Sequence, residues 1–118
     1  LSQSNLRYIA VHENLILVTA VEHDGSSLLV ALEMDTGSTR FAISVDALSC
    51  NVGGVCVMHN TILVSCDQHI HSFSLDGVRK GKVIEFEECG TQGGMAVSEN
   101  GQTLIVVHDD HSSLSIFQ

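Results

Sequence analysis

The chain has 118 residues, 44% hydrophobic but only 4% aromatic, with no proline or tryptophan and a net charge of −9. That length suits one domain with a core of its own, expected over residues 1–118. Fourteen acidic residues against five basic ones repel a phosphate backbone and an anionic bilayer, so neither nucleic acid nor membrane is expected as a partner.

The longest apolar runs, such as Leu15 to Val18, are too short to cross a bilayer. The first residues lack the basic head and apolar stretch of a secretory signal. A start at Leu1 and not at Met is what an excised or processed chain would show. Apolar mass comes from Val, Leu and Ile, whose branched side chains suit pleated sheets.

A first unit, about residues 6–46, reads as strands at Tyr8–Val11, Leu15–Glu22, Ser27–Met34 and Thr39–Ser44. His12-Glu-Asn14, His23-Asp-Gly-Ser26 and Asp35-Thr-Gly-Ser38 join them, with the Asn, Asp, Gly and Ser that tight turns need. A second unit, about residues 51–88, has strands at Gly54–Met58, Thr61–Cys66, His69–Leu75 and Lys82–Phe86. The third, about residues 93–118, has Met95–Ser98, Thr103–His108 and Leu114–Phe117, and is one strand short. No 3.6-residue apolar face is sustained over a helix-length window.

The units repeat with a period near 40. Asn14-Leu-Ile-Leu-Val-Thr-Ala20 aligns with Asn60-Thr-Ile-Leu-Val-Ser-Cys66, and Gly53-Gly-Val-Cys-Val57 with Gly93-Gly-Met-Ala-Val97. Short strands at that period are the mark of propeller blades. The expected fold is all-β, a β-propeller segment of just under three four-stranded antiparallel blades. Near-continuous apolar strands such as Leu104-Ile-Val-Val107 fit sheets buried on both faces by their neighbours.

Gly54-Val-Cys-Val57, Thr61-Ile-Leu-Val64, Asp67-Gln-His69 and Ile70-His-Ser-Phe73 resemble NHL-type repeats, and more loosely YncE-like and gluconolactonase-like propellers. The third unit repeats the pattern through Gly94-Met-Ala-Val97 and Leu114-Ser-Ile-Phe117. Val30-Ala-Leu32-Glu-Met-Asp35-Thr-Gly37 resembles a quinoprotein-style blade without its usual Trp, and the Trp-Asp pair of WD40 repeats is absent. The resemblance implies an architecture hosting scaffolds, RNA binders, lactonases and dehydrogenases, and so leaves activity open.

In such blades the turns between second and third strands share a face with the links between blades. That face would collect Asp24, Asp67, His69, Asp109, Asp110 and His111, the candidate binding residues. They could supply carboxylate and imidazole to a metal or to acid–base chemistry. They could equally bond their own turns and cover a blade edge.

No residue stands out as catalytic, and neither a metal nor a cofactor is assigned. There is no G-x-S-x-G elbow and no C-x-x-C pair. Gly53-Gly54 and Gly93-Gly94 are read as room for crowded inner strands, and Arg79, Lys80 and Lys82 as a solvated edge. With a turn centred near Asn60, Cys56 would face Val64 and Cys66 would face Gly54, so the two would not bond. Free buried thiols are the expectation, which leans toward a reducing, intracellular compartment.

The leading functional reading is a non-catalytic interaction or scaffold module presenting a propeller's loop face to a protein partner. One alternative is part of a propeller enzyme, lactonase- or hydrolase-like, with or without a metal, acting on a small molecule. Another is a self-assembling, multivalent ligand- or glycan-binding propeller. There two or more copies complete a ring, and the Leu1–Leu6 segment of a neighbour supplies the third unit's missing outer strand; in the enzyme reading the remaining blades belong to a larger propeller.

Overall fold

A computed structural model describes residues 5–45, 52–85, 94–108 and 114–117. These form eleven strands: β1 (Asn5–His12), β2 (Leu15–Val21), β3 (Ser27–Glu33), β4 (Thr39–Ser44), β5 (Val52–Met58), β6 (Thr61–Cys66), β7 (His69–Ser74), β8 (Arg79–Glu85), β9 (Met95–Val97), β10 (Leu104–Val107) and β11 (Leu114–Phe117). They make three antiparallel meanders, β1-β2-β3-β4, β5-β6-β7-β8 and β9-β10-β11, with no helix among the described residues. β1 begins earlier than the apolar pattern suggests. Asn5 and Leu6 already pair with Val21 and Ala20 of their own sheet.

Turn chemistry sets the registers. His59 and Asn60 both adopt left-handed backbone (φ 54° and 57°), which makes a two-residue hairpin loop between Met58 and Thr61. The hairpin is therefore centred between His59 and Asn60. Cys56 pairs with Leu63 and Val55 with Val64, one residue from the expected register. A register irregularity before Val55 then brings Cys66 opposite Val52.

The alternation of the strands gives each sheet two apolar faces. Leu17, Leu29 and Ala31 of the first sheet pack with Val55, Ile62, Val64 and Phe73 of the second. On the other side of the second sheet, Cys56, Leu63 and Ile70 pack with Leu104 and Val106 of the third. Ile62, Ile70 and Phe73 are fully buried, each stabilising the stack by about 1.5–3 kcal/mol relative to exposure. Phe73 and the buried His71 lie in the seam between sheets, as their shared strand face predicts.

Polar groups tie the same seams. Beside the register shift in β1, the Tyr8 N–H donates to Thr19 Oγ1 at 3.2 Å. The Thr19 hydroxyl in turn donates to the Gly53 carbonyl at 2.8 Å, across to the second sheet. Arg79 is more than a solvated edge residue. Its guanidinium lies 5.5 Å from the centre of the Phe73 ring, donates to His71 Nδ1 at 3.2 Å, and bonds the Val45 carbonyl of the first sheet.

Of the glycines read as inner-strand room, Gly54 meets that need and Gly94 does not. A Cβ on Gly54 would stand 2.7 Å from the Met95 backbone nitrogen, whereas one on Gly94 would meet, among the described residues, the Tyr8 ring alone at 3.7 Å. Gly54→Ala is therefore expected to cost about 1–3 kcal/mol by forcing the second and third sheets apart. Gly94→Ala should stay within about 0.5 kcal/mol. Urea denaturation midpoints of the two variants check this, and equal midpoints would refute the close approach.

Candidate functional site

The antiparallel strands send two sets of turns to opposite ends of the stack. The β1–β2, β5–β6 and β9–β10 turns converge at one end. There they surround a cavity of about 560 Å³ lined by His12, Cys56, His59, Asn60, Ser98 and Glu99 among others. That volume suits a small-molecule pocket. His12 Nε2 is buried and has no hydrogen-bond partner among the described residues. Glu13, like His59 and Asn60, holds positive φ in these turns, so the rim is built from backbone that side chains seldom adopt. Sequence reasoning missed this end, and only the alignment of three short turns could have indicated the convergence.

The β2–β3 and β6–β7 turns lie one strand length away, at the other end, with Asp24, Asp67 and His69. Asp24 is exposed, and its Oδ1 accepts the Ser26 N–H at 2.9 Å. The bonds to Ser26 hold its carboxyl below the ordinary value of 3.8, so it is a fixed negative charge at neutral pH. Asp67 occupies left-handed backbone (φ 55°) at the β6–β7 turn, which Asp tolerates well. His69 opens β7, with Nε2 3.4 Å from Glu85 Oε1 and its ring 6.0 Å from that of His71, edge to face. Glu22 and Glu85 are exposed at the same end. Asp109, Asp110 and His111 lie outside the described residues. Among the described residues, no group of three or more His, Cys, Asp or Glu is placed to hold a metal.

The cysteines divide. Cys56 is a free thiol under Leu104 and Val106, and burial pushes its pKa up to about 12. Cys66 is disulfide-bonded, against the expectation of free thiols, and Cys56 is not its partner. The basis for a lean toward a reducing compartment is thereby lost.

No protein-family model matches the chain, and no curated protein sequence matches it. Solved structures do. A quinohemoprotein alcohol dehydrogenase from Pseudomonas putida HK5 superposes with a TM-score of 0.63 at 11% identity, over 85% of this chain and 20% of that one. The extracellular domain of a hybrid two-component system from B. thetaiotaomicron superposes at 0.56 with 9% identity, over 97% of this chain and 21% of that one. The fold is propeller-like. This chain spans about a fifth of the length of either structure, and likeness at such identity speaks to fold alone.

Thiol chemistry tests the seam directly. In the native chain Cys56 should resist iodoacetamide at pH 8, because burial withholds both access and the thiolate. It should label fully after unfolding without reductant, while the Cys66 peptide stays linked in a non-reduced digest. Rapid native labelling of Cys56, or an unlinked Cys66, would contradict the geometry.

Proposed function

We propose that this propeller segment is a non-catalytic interaction module, and that its β2–β3 and β6–β7 turns form an acidic face for a basic protein surface. The observation that carries this is the shared placement of Glu22, Asp24, Asp67 and Glu85 at one end of two packed sheets. Asp24 is pinned by its own turn in the ionised state. Asp109, Asp110 and His111 would extend the same face, since the turn between β10 and β11 is the counterpart of the other two in the repeat. Charged rims of this kind speed and orient encounter more than they deepen affinity, so association should weaken with salt.

A lysine-rich peptide serves as the probe, with affinity followed by fluorescence anisotropy across a salt series. The Asp24→Asn, Asp67→Asn pair keeps both turns, because Asn bonds an Asx turn and tolerates left-handed backbone. It should weaken binding several-fold and flatten the salt dependence. Glu13→Gln with Glu99→Gln removes equal charge from the opposite end and should change little. Equal effects from the two pairs would mean that only net charge is sensed, and the proposed face would fall.

A further inference from the structure

The repeat gives one equivalent position to three side chains at the ends of the inner strands. His12 pairs with Leu15 and Met58 with Thr61, each just before a two-residue hairpin loop. Ser98 takes the same place in the third unit, since Val57 aligns with Val97, and all three line the cavity of about 560 Å³. In the second sheet the position holds an apolar thioether. In the third it holds a serine that serves its own turn: Ser98 Oγ donates to Asn100 Oδ1 at 2.6 Å and accepts the Thr103 N–H at 3.1 Å. His12 differs from both, with Nε2 buried and without a hydrogen-bond partner among the described residues.

Neither the hairpin nor the repeat requires an imidazole there. Native folds satisfy nearly all buried polar atoms, so an unmet nitrogen beside a cavity calls for a partner from outside the chain. His12 as a whole is half-buried, which leaves its ring room to turn that nitrogen toward the cavity. The rest of the lining sets the character of the partner. Ala10, Val57, Met58 and Val97 offer apolar wall for a compact body. None of the described lining residues is Lys or Arg, and exposed Glu99 is among them, so an anion meets only repulsion. Arg40 and Lys80, on the outer strands, are bonded to Glu33 and Thr61.

We propose that this cavity binds a small uncharged molecule with an apolar body and one hydroxyl, the hydroxyl bonded to His12 Nε2. A hydroxyl suits the site because it both donates and accepts. It satisfies Nε2 whichever ring nitrogen carries the proton. The two-residue loops Glu13-Asn14 and His59-Asn60 leave the rim little freedom, so the pocket is largely formed before the ligand arrives. The site lies at the end opposite the acidic turns and is independent of the acidic face.

Three probes built on one ring separate the contributions: p-cresol, toluene and benzoate. Binding is followed by nuclear magnetic resonance at the labelled methyl groups of the three methionines, with Met58→Leu identifying the signal at the cavity. p-Cresol should shift the Met58 signal saturably and bind roughly five- to tenfold tighter than toluene, the effect of one hydrogen bond. Benzoate should leave the signal unmoved. His12→Phe should bring p-cresol down to the level of toluene. His12→Gln, whose amide still donates and accepts, should restore the preference, and far-UV circular dichroism checks that each variant folds. A Met58 signal that p-cresol does not move in the wild-type chain would overturn the proposal. So would equal binding of p-cresol and toluene, saturable binding of benzoate, or a preference for p-cresol that survives His12→Phe.

Discussion

The structure depends on the second sheet being buried on both sides at once. A single four-stranded meander of this size cannot cover its own apolar faces, and here the alternation of β6 gives Ile62 and Val64 to one neighbour and Leu63 to the other. The spacing of the layers is set where inner strands meet. Gly54 lets the β5 backbone lie against that of Met95, and the Thr19 hydroxyl reaches the Gly53 carbonyl. With those two contacts in place, the inner turns of all three sheets fall at one end and the acidic turns at the other. The position of both candidate surfaces follows from the stacking and not from any side chain recruited for chemistry.

Much of the fold was legible because strand and turn chemistry are local. Eleven strands were expected and eleven are described, most within two residues of the expected bounds, since Asn-, Asp- and Gly-rich joints interrupt runs of Val, Leu and Ile. What failed depended on backbone geometry or on contacts between sheets. Two consecutive left-handed residues, His59 and Asn60, shifted the β5–β6 register by one, which a turn centred on Asn60 could not anticipate. Arg79 read as a solvated edge because its partners, Phe73, His71 and the Val45 carbonyl, lie up to 34 positions away in sequence. The Cys66 disulfide was hidden for the same reason: cysteine spacing says nothing about pairing across a fold.

The candidate site was legible in outline only. The sequence places Asp24, Asp67 and His69 in equivalent turns, and the structure puts those turns at a common end, with Asp24 bonding its own loop as short acidic side chains do. The cavity among His12, His59 and Glu99 was not legible, because three short turns from three repeats build it and none carries a motif. Likeness to the two solved structures speaks to architecture alone, and one architecture serves unrelated tasks. Function on such a scaffold has to be argued from the charge and shape of a particular end.

Hydrogen–deuterium exchange resolved by segment tests the central claim, that the second sheet is the buried layer on which the others rest. The account predicts that amides of β6 and β7 exchange slowest, at rates set by global unfolding, with β4 and β8 at the sheet edges faster. Exchange as fast in β6 and β7 as in β4 and β8 would mean that the three sheets do not stack as described.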